Sequence, residues 1–357
     1  MVLKFVKGRG AISNHPGRFE QLRRIPYVDD WKTAAEQKKE KIKTEITAET
    51  ARRIITTNRS PDIDFDTSIN PYKGCEHGCI YCFARPTHAY LGLSAGFDFE
   101  SRIFYKPEAA EVLAKEIQSP NYKCRVLALG TNTDPYQPIE RELKITRRLL
   151  KVLLAHNHPV VITTKSSQIA RDLDILKPMA QKGLLQVNIS LTTLDQSLSR
   201  TLEPGCPTPA RRVDTLKQLS DAGIETGVML APVIPVLNDP EIEAILEVAA
   251  KSGAVAAGYV LLRLPLEIKD LFREWLEVHY PLKANHILNV IRSTRQGQLY
   301  VSEYGERMDG SGPYAKILHH RYTKTCRKLG LNKIRKKLNT DLFLHSCGQR
   351  RQLRLFS

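Results

Sequence analysis

The sequence predicts an α/β fold built on a parallel sheet covered by helices, and three observations predict it. Near-continuous apolar runs of strand length recur along the middle of the chain, and each leads into a stretch with helical spacing of its apolar positions. Helix-start chemistry stands where several of those stretches open: Pro107 ahead of EAAE, Thr208-Pro209, and Asn238-Asp239-Pro240-Glu241. No GxGxxG follows any of the strands, which disfavours a dinucleotide-binding sheet.

Taken in order, one strand precedes a cysteine-rich loop and a helix spans 107–118. RVLALGT (125–131) then leads to a helix at 140–156, and PVVITTK (159–165) to one at 168–182. LLQVNISLTT (184–193) is followed by a helix at 208–222, and IETGVMLAPV (224–233) by one at 239–252. AVAAGYVLLRL (254–264) leads into 267–279, which makes six strand–helix units. Ahead of them, residues 30–60 (DWKTAAEQKKEKIKTEITAETARRII and onward) carry an amphipathic helical pattern and are expected to pack on the outside. Residues 302–322, mixing Gly with Tyr, Met and His, are expected to connect past the last helix and reach the open end of the sheet as a substrate contact. The division expected is a basic extension at 1–61, a core at 62–299 and a second basic extension at 300–357.

The chain carries 54 Lys and Arg against 38 Asp and Glu, a net charge of +16, and the excess is not uniform. Residues 1–60 hold 14 basic and 7 acidic side chains, residues 313–357 hold 12 and 1, and the stretch between is nearly neutral. KTCRKLGLNKIRKK (324–337) is dense enough to neutralise several phosphates, a contact that is sequence-blind and salt-sensitive. An acidic protein or an anionic surface would satisfy the same charge. No apolar run approaches the roughly 20 residues that span a membrane. The N-terminus lacks the apolar segment of a signal peptide, so a cytoplasmic location is expected.

NPYKGCEHGCIYCFARP (70–86) places three of the seven cysteines, Cys75, Cys79 and Cys82, within eight residues. An odd cysteine total in a chain of 357 residues argues against a disulfide framework. Structural zinc wants four ligands, usually as two close pairs; Cys124 lies 42 residues on, and His77 and His88 do not supply paired spacing. Three thiolates suit a [4Fe–4S] cluster with one iron left open, since such clusters otherwise take four. Gly74 and Gly78 let the backbone adopt φ > 0 and wrap closely around an inorganic cube.

CEHGCIYC resembles the CxxxCxΦC pattern (Φ aromatic) of the radical SAM superfamily, in which the open iron chelates S-adenosylmethionine (SAM). NPYKGCEHGCIYCFARPTH, GTNTDPYQPIE and VMLAPVIPVLND together resemble the branch related to spore photoproduct lyase, often labelled "DNA repair photolyase-like". The likeness covers about residues 62–295 and implies a partial (βα)6 TIM-like barrel with a [4Fe–4S] cluster and SAM. It implies Cys75, Cys79 and Cys82 as cluster ligands and Tyr81 against the adenine. Chemistry in parallel barrels gathers at the C-terminal strand ends. There the resemblance assigns Thr131 and Asp134 to the SAM amino group, Lys165 to its carboxylate, and Ser190 to its ribose or carboxylate. Turn chemistry would by itself also account for the stretch 130–134, and a solvated lysine for Lys165. Glu203, Arg211 and Arg212 in LEPGCPTPARR stay unassigned, because two arginines at a helix start read equally as a solvated face.

The related lyase donates a hydrogen atom from a cysteine at the end of its second strand, where this chain has 130–134 and no cysteine. Cys206 is the better placed free thiol, and the likeness extends only to fold, cluster and SAM. The function expected is reductive cleavage of SAM and hydrogen abstraction from a substrate, a nucleic acid on the evidence of charge, as in DNA repair or modification. The alternatives are radical modification of a peptide or small molecule, or a non-catalytic, metal-stapled nucleic-acid-binding protein. A one-electron reductant of flavodoxin or ferredoxin type is implied as a partner. Finally, Gln352-Leu353-x-Leu355-Phe356 resembles the QLxLF peptide with which bacterial repair proteins dock on the DNA sliding clamp.

Overall fold

The computed structural model describes residues 8–20, 42–333 and 337–345. The clamp-like stretch 352–356 and residues 30–41 of the expected helix lie outside these. Among the described residues, ten strands form two sheets: β1 (Glu45–Ala48), β2 (Ile55–Thr57), β3 (Thr67–Ile69), β4 (Tyr72–Lys73), β5 (Arg102–Tyr105), β6 (Leu127–Leu129), β7 (Val160–Thr164), β8 (Leu185–Ser190), β9 (Glu225–Val233) and β10 (Ala256–Leu261). The larger sheet runs β10-β9-β8-β7-β6-β3-β2. Every pairing in it is parallel except β2 against β3. Six consecutive parallel strands separated by helices, with β10 and β2 as its two edges, make the expected open partial barrel.

Burial explains the apolar strands. Leu127, Ala128 and Leu129 of β6 are all buried, flanked by β3 and β7 on either side and covered by helix Ile145–Ala155, which turns Ile145, Leu149, Leu150 and Leu153 inward. Helix starts follow the expected chemistry at Thr208, whose hydroxyl accepts from the Arg211 amide ahead of Pro209–Asp221. Asp195 does the same for Gln196–Leu202, a short helix the sequence reading lacks.

The larger departures are at the flanks. Residues 42–60 are not helical: β1 pairs in parallel with β5, and β2 pairs with β3. Ile46, Thr47, Ile55, Thr56 and Thr57 are β-branched, which suits extended backbone, and partners distant in sequence decide the outcome. The sheet's antiparallel edge therefore lies ahead of residue 62. Residues 302–322 are not a plain connector either. Helix Gly312–Leu329 begins inside them and packs along the outside on helix Ile242–Lys251, burying Ala315, Leu318 and Cys326. Arg321 pairs there with Glu243, and the Tyr322 hydroxyl donates to the Ala257 carbonyl at 2.7 Å. Glycines at 310 and 312 obscured the helical spacing of 315, 318, 322 and 326 that follows Pro313. Among the described residues, no helix is long and apolar enough to cross a membrane.

Candidate cluster and cofactor site

The cysteine loop leaves β4 and folds back as successive tight turns. Gly78 N–H donates to Cys75 O, Cys82 N–H to Cys79 O, and Arg85 N–H to Cys82 O. Gly74 and Gly78 take φ of 79° and 64°, the left-handed conformation expected of them. Cys75 and Cys79 are each 7% exposed and Cys82 is half-buried. Two anchors fix the loop. From one side the fully buried Arg85 donates to the carbonyls of Gly78, Cys79, Ala95 and Gly96 at 2.8 to 3.1 Å and pairs with Glu100. Glu100 in turn accepts the amides of Gly10 and Ala11 at 3.0 and 2.8 Å, so the N-terminal segment closes over the pair. From the other side, Ile80 N–H donates to Leu202 O and Gly205 N–H to His77 O, each at 3.0 Å.

The C-terminal strand ends meet this loop. Gly130 leaves β6 so close to β7 that a Cβ there would lie 1.9 Å from the Thr163 carbonyl oxygen, and Thr131 follows it half-buried at the rim. Asp134 then receives the Thr164 hydroxyl at 2.6 Å, the Lys165 amide at 2.8 Å and the Tyr136 amide at 2.9 Å, and it also meets His77 Nδ1 of the cysteine loop at 3.3 Å. Burial alone would raise the Asp134 carboxyl, but His77 and these donors bring it down to about 2. The Lys165 ammonium sits 5.8 Å from the centre of the Tyr81 ring, within cation–π range.

Glu203 lies at the centre of the site. Its carboxylate accepts from the Tyr81 hydroxyl, from Thr192 Oγ1 at 2.7 Å and from Arg212, which is 1% exposed. Arg212 also donates to Pro207 O at 2.9 Å and to the carbonyl of Ser190, the buried last residue of β8, at 3.3 Å. Burial would raise Glu203, yet Arg212 and then Lys165 lower it to about 2. Sequence reasoning left this pair unassigned. A signal was present: in helix Pro209–Asp221, Arg212 falls on the same face as Thr215, Leu216 and Leu219, which the fold buries. Arg211, one residue earlier, is exposed.

Cys206 Sγ stands 3.9 Å from Cys79 Sγ. That hydrogen bond, against burial and helped by Lys165, draws the Cys79 thiol down to about 7, while burial pushes Cys82 up to about 12. A cavity of about 380 Å³ opens beside the loop, lined by Glu76, His77, Ser166, Gln168, Cys206 and Pro207 among others. Among the described residues, no three His, Cys, Asp or Glu side chains form a group able to hold a single metal ion. A cubane makes a different demand, since its thiolates attach to separate irons around one face. Three largely buried thiols on a loop turned by two left-handed glycines fit that demand. Cys124 stands apart, ahead of β6, and Cys326 is buried in the outer helix.

Comparison with known proteins gives a family. A family model described as the radical SAM superfamily matches residues 69–249. An uncharacterized protein of Mycobacterium tuberculosis is 36% identical over 221 residues, which are 61% of this chain and 65% of that protein. The chain thus spans about 65% of the length of its mycobacterial relatives. Among solved structures, spore photoproduct lyase complexed with dinucleoside spore photoproduct aligns with a TM-score of 0.56 at 15% identity, covering 80% of each chain. A mutant of that lyase with bound AdoMet and dinucleoside spore photoproduct aligns with a TM-score of 0.56 at 16% identity, over 87% of this chain and 86% of that one. At these identities the likeness is one of fold.

Proposed function

The chain belongs to the radical SAM superfamily, and from that membership we propose an enzyme that cleaves SAM reductively and abstracts hydrogen from a nucleic acid, in repair or modification of DNA. The superfamily uses a [4Fe–4S] cluster and SAM, which together supply a 5′-deoxyadenosyl radical once a one-electron reductant has acted. In this reading Cys75, Cys79 and Cys82 hold the cluster. Tyr81 offers a ring face to the adenine, its hydroxyl fixed by Glu203 and Thr192. Lys165 takes the carboxylate of SAM, Ser190 its ribose or carboxylate, and Thr131 and Asp134 its amino group. Asp134 also ties the end of β7 to the cysteine loop, so it sets the distance between ligand loop and strand ends.

The observation that carries the reading is the convergence of Tyr81, Lys165, Glu203 and Arg212 on the Cys79 side of the loop. A metal staple without catalysis would have no use for such a buried polar cluster at the strand ends. The nucleic-acid assignment rests on the basic flanks and on a described surface. Helix Gly312–Leu329 turns Lys316, Lys324, Arg327 and Lys328 to solvent, a charge able to meet phosphates. The core 62–299 with a basic extension on either side remains the division we propose, and Gln352 to Phe356 the segment for a sliding clamp. A synthetic peptide of residues 348–357 that fails to bind the clamp would remove that last element alone.

Anaerobic incubation with SAM and dithionite, with and without DNA or RNA, tests the whole. Production of 5′-deoxyadenosine is expected, stimulated by nucleic acid. Cys75→Ala, Cys79→Ala and Cys82→Ala should each abolish it, while Cys124→Ala and Cys326→Ala, which leave only a small apolar gap, should not. Stimulation by a peptide and by no nucleic acid would favour the alternative, modification of a polypeptide.

A further inference from the structure

Beyond β10, two guanidinium groups lie together; among the described residues no carboxylate is in ion-pair contact with either, and Asp62 feels the charge of Arg263 only from further off. Among the described residues neither Arg263 nor Arg295 forms an ion pair, and the Nε–H of each is buried without a hydrogen-bond partner. Arg295 is 1% exposed; its terminal nitrogens donate to the carbonyls of Leu261 and Leu262 at 3.1 and 2.9 Å and to that of Glu306. Those bonds account for its place under the strand end, and Asp309 and Glu306 act on its charge without an ion-pair contact. Arg263 donates only to the Met308 sulfur at 3.4 Å, a weak acceptor. Burial and then the charge of Arg263 hold Arg295 below its ordinary value, against the opposing pull of Tyr300, Asp309 and Glu306.

The Arg263 guanidinium also lies 5.4 Å from the centre of the Phe83 ring. Phe83 directly follows Cys82, yet 47% of it is exposed, an unusual position for a large apolar side chain beside an otherwise buried loop. The segment that closes this rim is part of the Gly- and Tyr-containing stretch expected at the barrel mouth. Arg307 pins it to Asp62, and Tyr304 stands 61% exposed with that guanidinium 4.6 Å from its ring centre. An exposed aromatic face next to an unpaired arginine is the pairing that binds a nucleotide, the base stacked and the phosphate bridged by the planar guanidinium.

We propose that this rim is the substrate's nucleotide site, with Phe83 stacking one base and Arg263, backed by Arg295, taking an adjacent phosphate. The assignment rests on the nucleic-acid reading above and places the substrate against the residue that follows the third cluster thiol. DNA and RNA present the same base-and-phosphate chemistry here.

The test is fluorescence anisotropy with labelled single-stranded oligodeoxyuridine and oligouridine, which differ only in the sugar, on the full-length protein at low and high salt. Phe83→Ala should weaken binding about tenfold at both salt concentrations, because stacking is not a counterion effect. Arg263→Gln should weaken it and reduce the log–log salt slope by roughly 0.7, the value of one phosphate on a single strand. Iron content reports that the cysteine loop is intact; if Phe83→Ala loses iron, Phe83→Leu keeps the apolar bulk, removes the stacking face and should show the same loss of affinity. The tighter polymer identifies the sugar. If Phe83 and Arg263 variants bind as wild type does, while replacing Lys316, Lys324, Arg327 and Lys328 with Gln abolishes binding, the rim assignment is overturned and the nucleic-acid reading stands. Failure of the wild-type protein to bind either polymer overturns both.

Discussion

Two arginine–glutamate pairs lie buried on opposite sides of the cysteine loop, and they differ in what surrounds them. Arg85–Glu100 is satisfied almost wholly by backbone: four carbonyls on the arginine and two amides on the glutamate. Arg212–Glu203 is surrounded by side chains of the site, with Tyr81 and Thr192 on the glutamate and Lys165 nearby. A buried pair of this kind adds little net stability, since desolvation offsets the attraction, but removing one partner is costly. The first pair therefore shapes the loop, whereas the second holds the polar face that the loop presents.

Neutralising both partners separates these roles. Arg85→Met with Glu100→Gln removes the donor to four buried carbonyls, each worth about 1 kcal/mol, so the double variant should remain about 3–5 kcal/mol less stable than wild type in denaturant unfolding. It should also lose iron. Stability near the wild-type value would mean that neither the charges of this pair nor its bonds to the backbone hold the loop.

Arg212→Met with Glu203→Gln should behave in the opposite way. Its stability should stay within about 2 kcal/mol of wild type, because an apolar replacement spares the desolvation of two charges. Yet the rate of SAM cleavage should fall about a hundredfold, the scale on which misplacing a reacting group is felt. A double variant that cleaves SAM at the wild-type rate would erase the distinction between the pairs.

The smallest of the expected effects is in acid. The Glu203 carboxyl is held at about 2 in the folded chain against an ordinary value of 4.5, so its folded form favours the charge. Its stabilising contribution is complete above about pH 4.5 and disappears as pH falls through about 2. The stability difference between wild type and Glu203→Gln should therefore shrink steadily from pH 5 to pH 2, as read by thermal or urea unfolding. A constant difference across that range would place the charge of Glu203 outside the balance.

The contrast also explains what the sequence made legible. The cysteine loop could be read directly because its three thiols and two glycines lie within nine residues, and the parallel strands because their apolar runs are buried wholly in β3 and β6 and in large part in β7, β8 and β9. Tyr81, Thr131, Asp134, Lys165 and Ser190 were expected at the rim because the family resemblance assigns such residues at strand ends and ahead of the last ligand. Arg212 was not, because its burial is decided by Glu203 and by a tyrosine 122 residues from that glutamate, a proximity no local pattern encodes. The same limit hid β1, whose partner β5 lies far along the chain and whose β-branched residues follow lysines and glutamates that suggest a helix by sequence pattern alone. Phe83 and Arg263 escaped notice for a related reason: an exposed aromatic acquires meaning only when a cation from a distant strand end is found above it.

The amides of Gly10 and Ala11 reach across 90 and 89 residues to Glu100, and this has a consequence for the order in which the molecule is made. A chain synthesised at about 5–20 residues per second exposes its first residues many seconds before their carboxylate exists. The three cysteines then emerge ahead of both Glu100 and the Glu203–Arg212 pair. For that interval they sit on an unbraced segment, open to oxidants and stray metals. Delivery of iron and sulfur is thus best timed after release of the finished chain, and a bulky tag fused ahead of Gly10 should hinder maturation more than one at the other end.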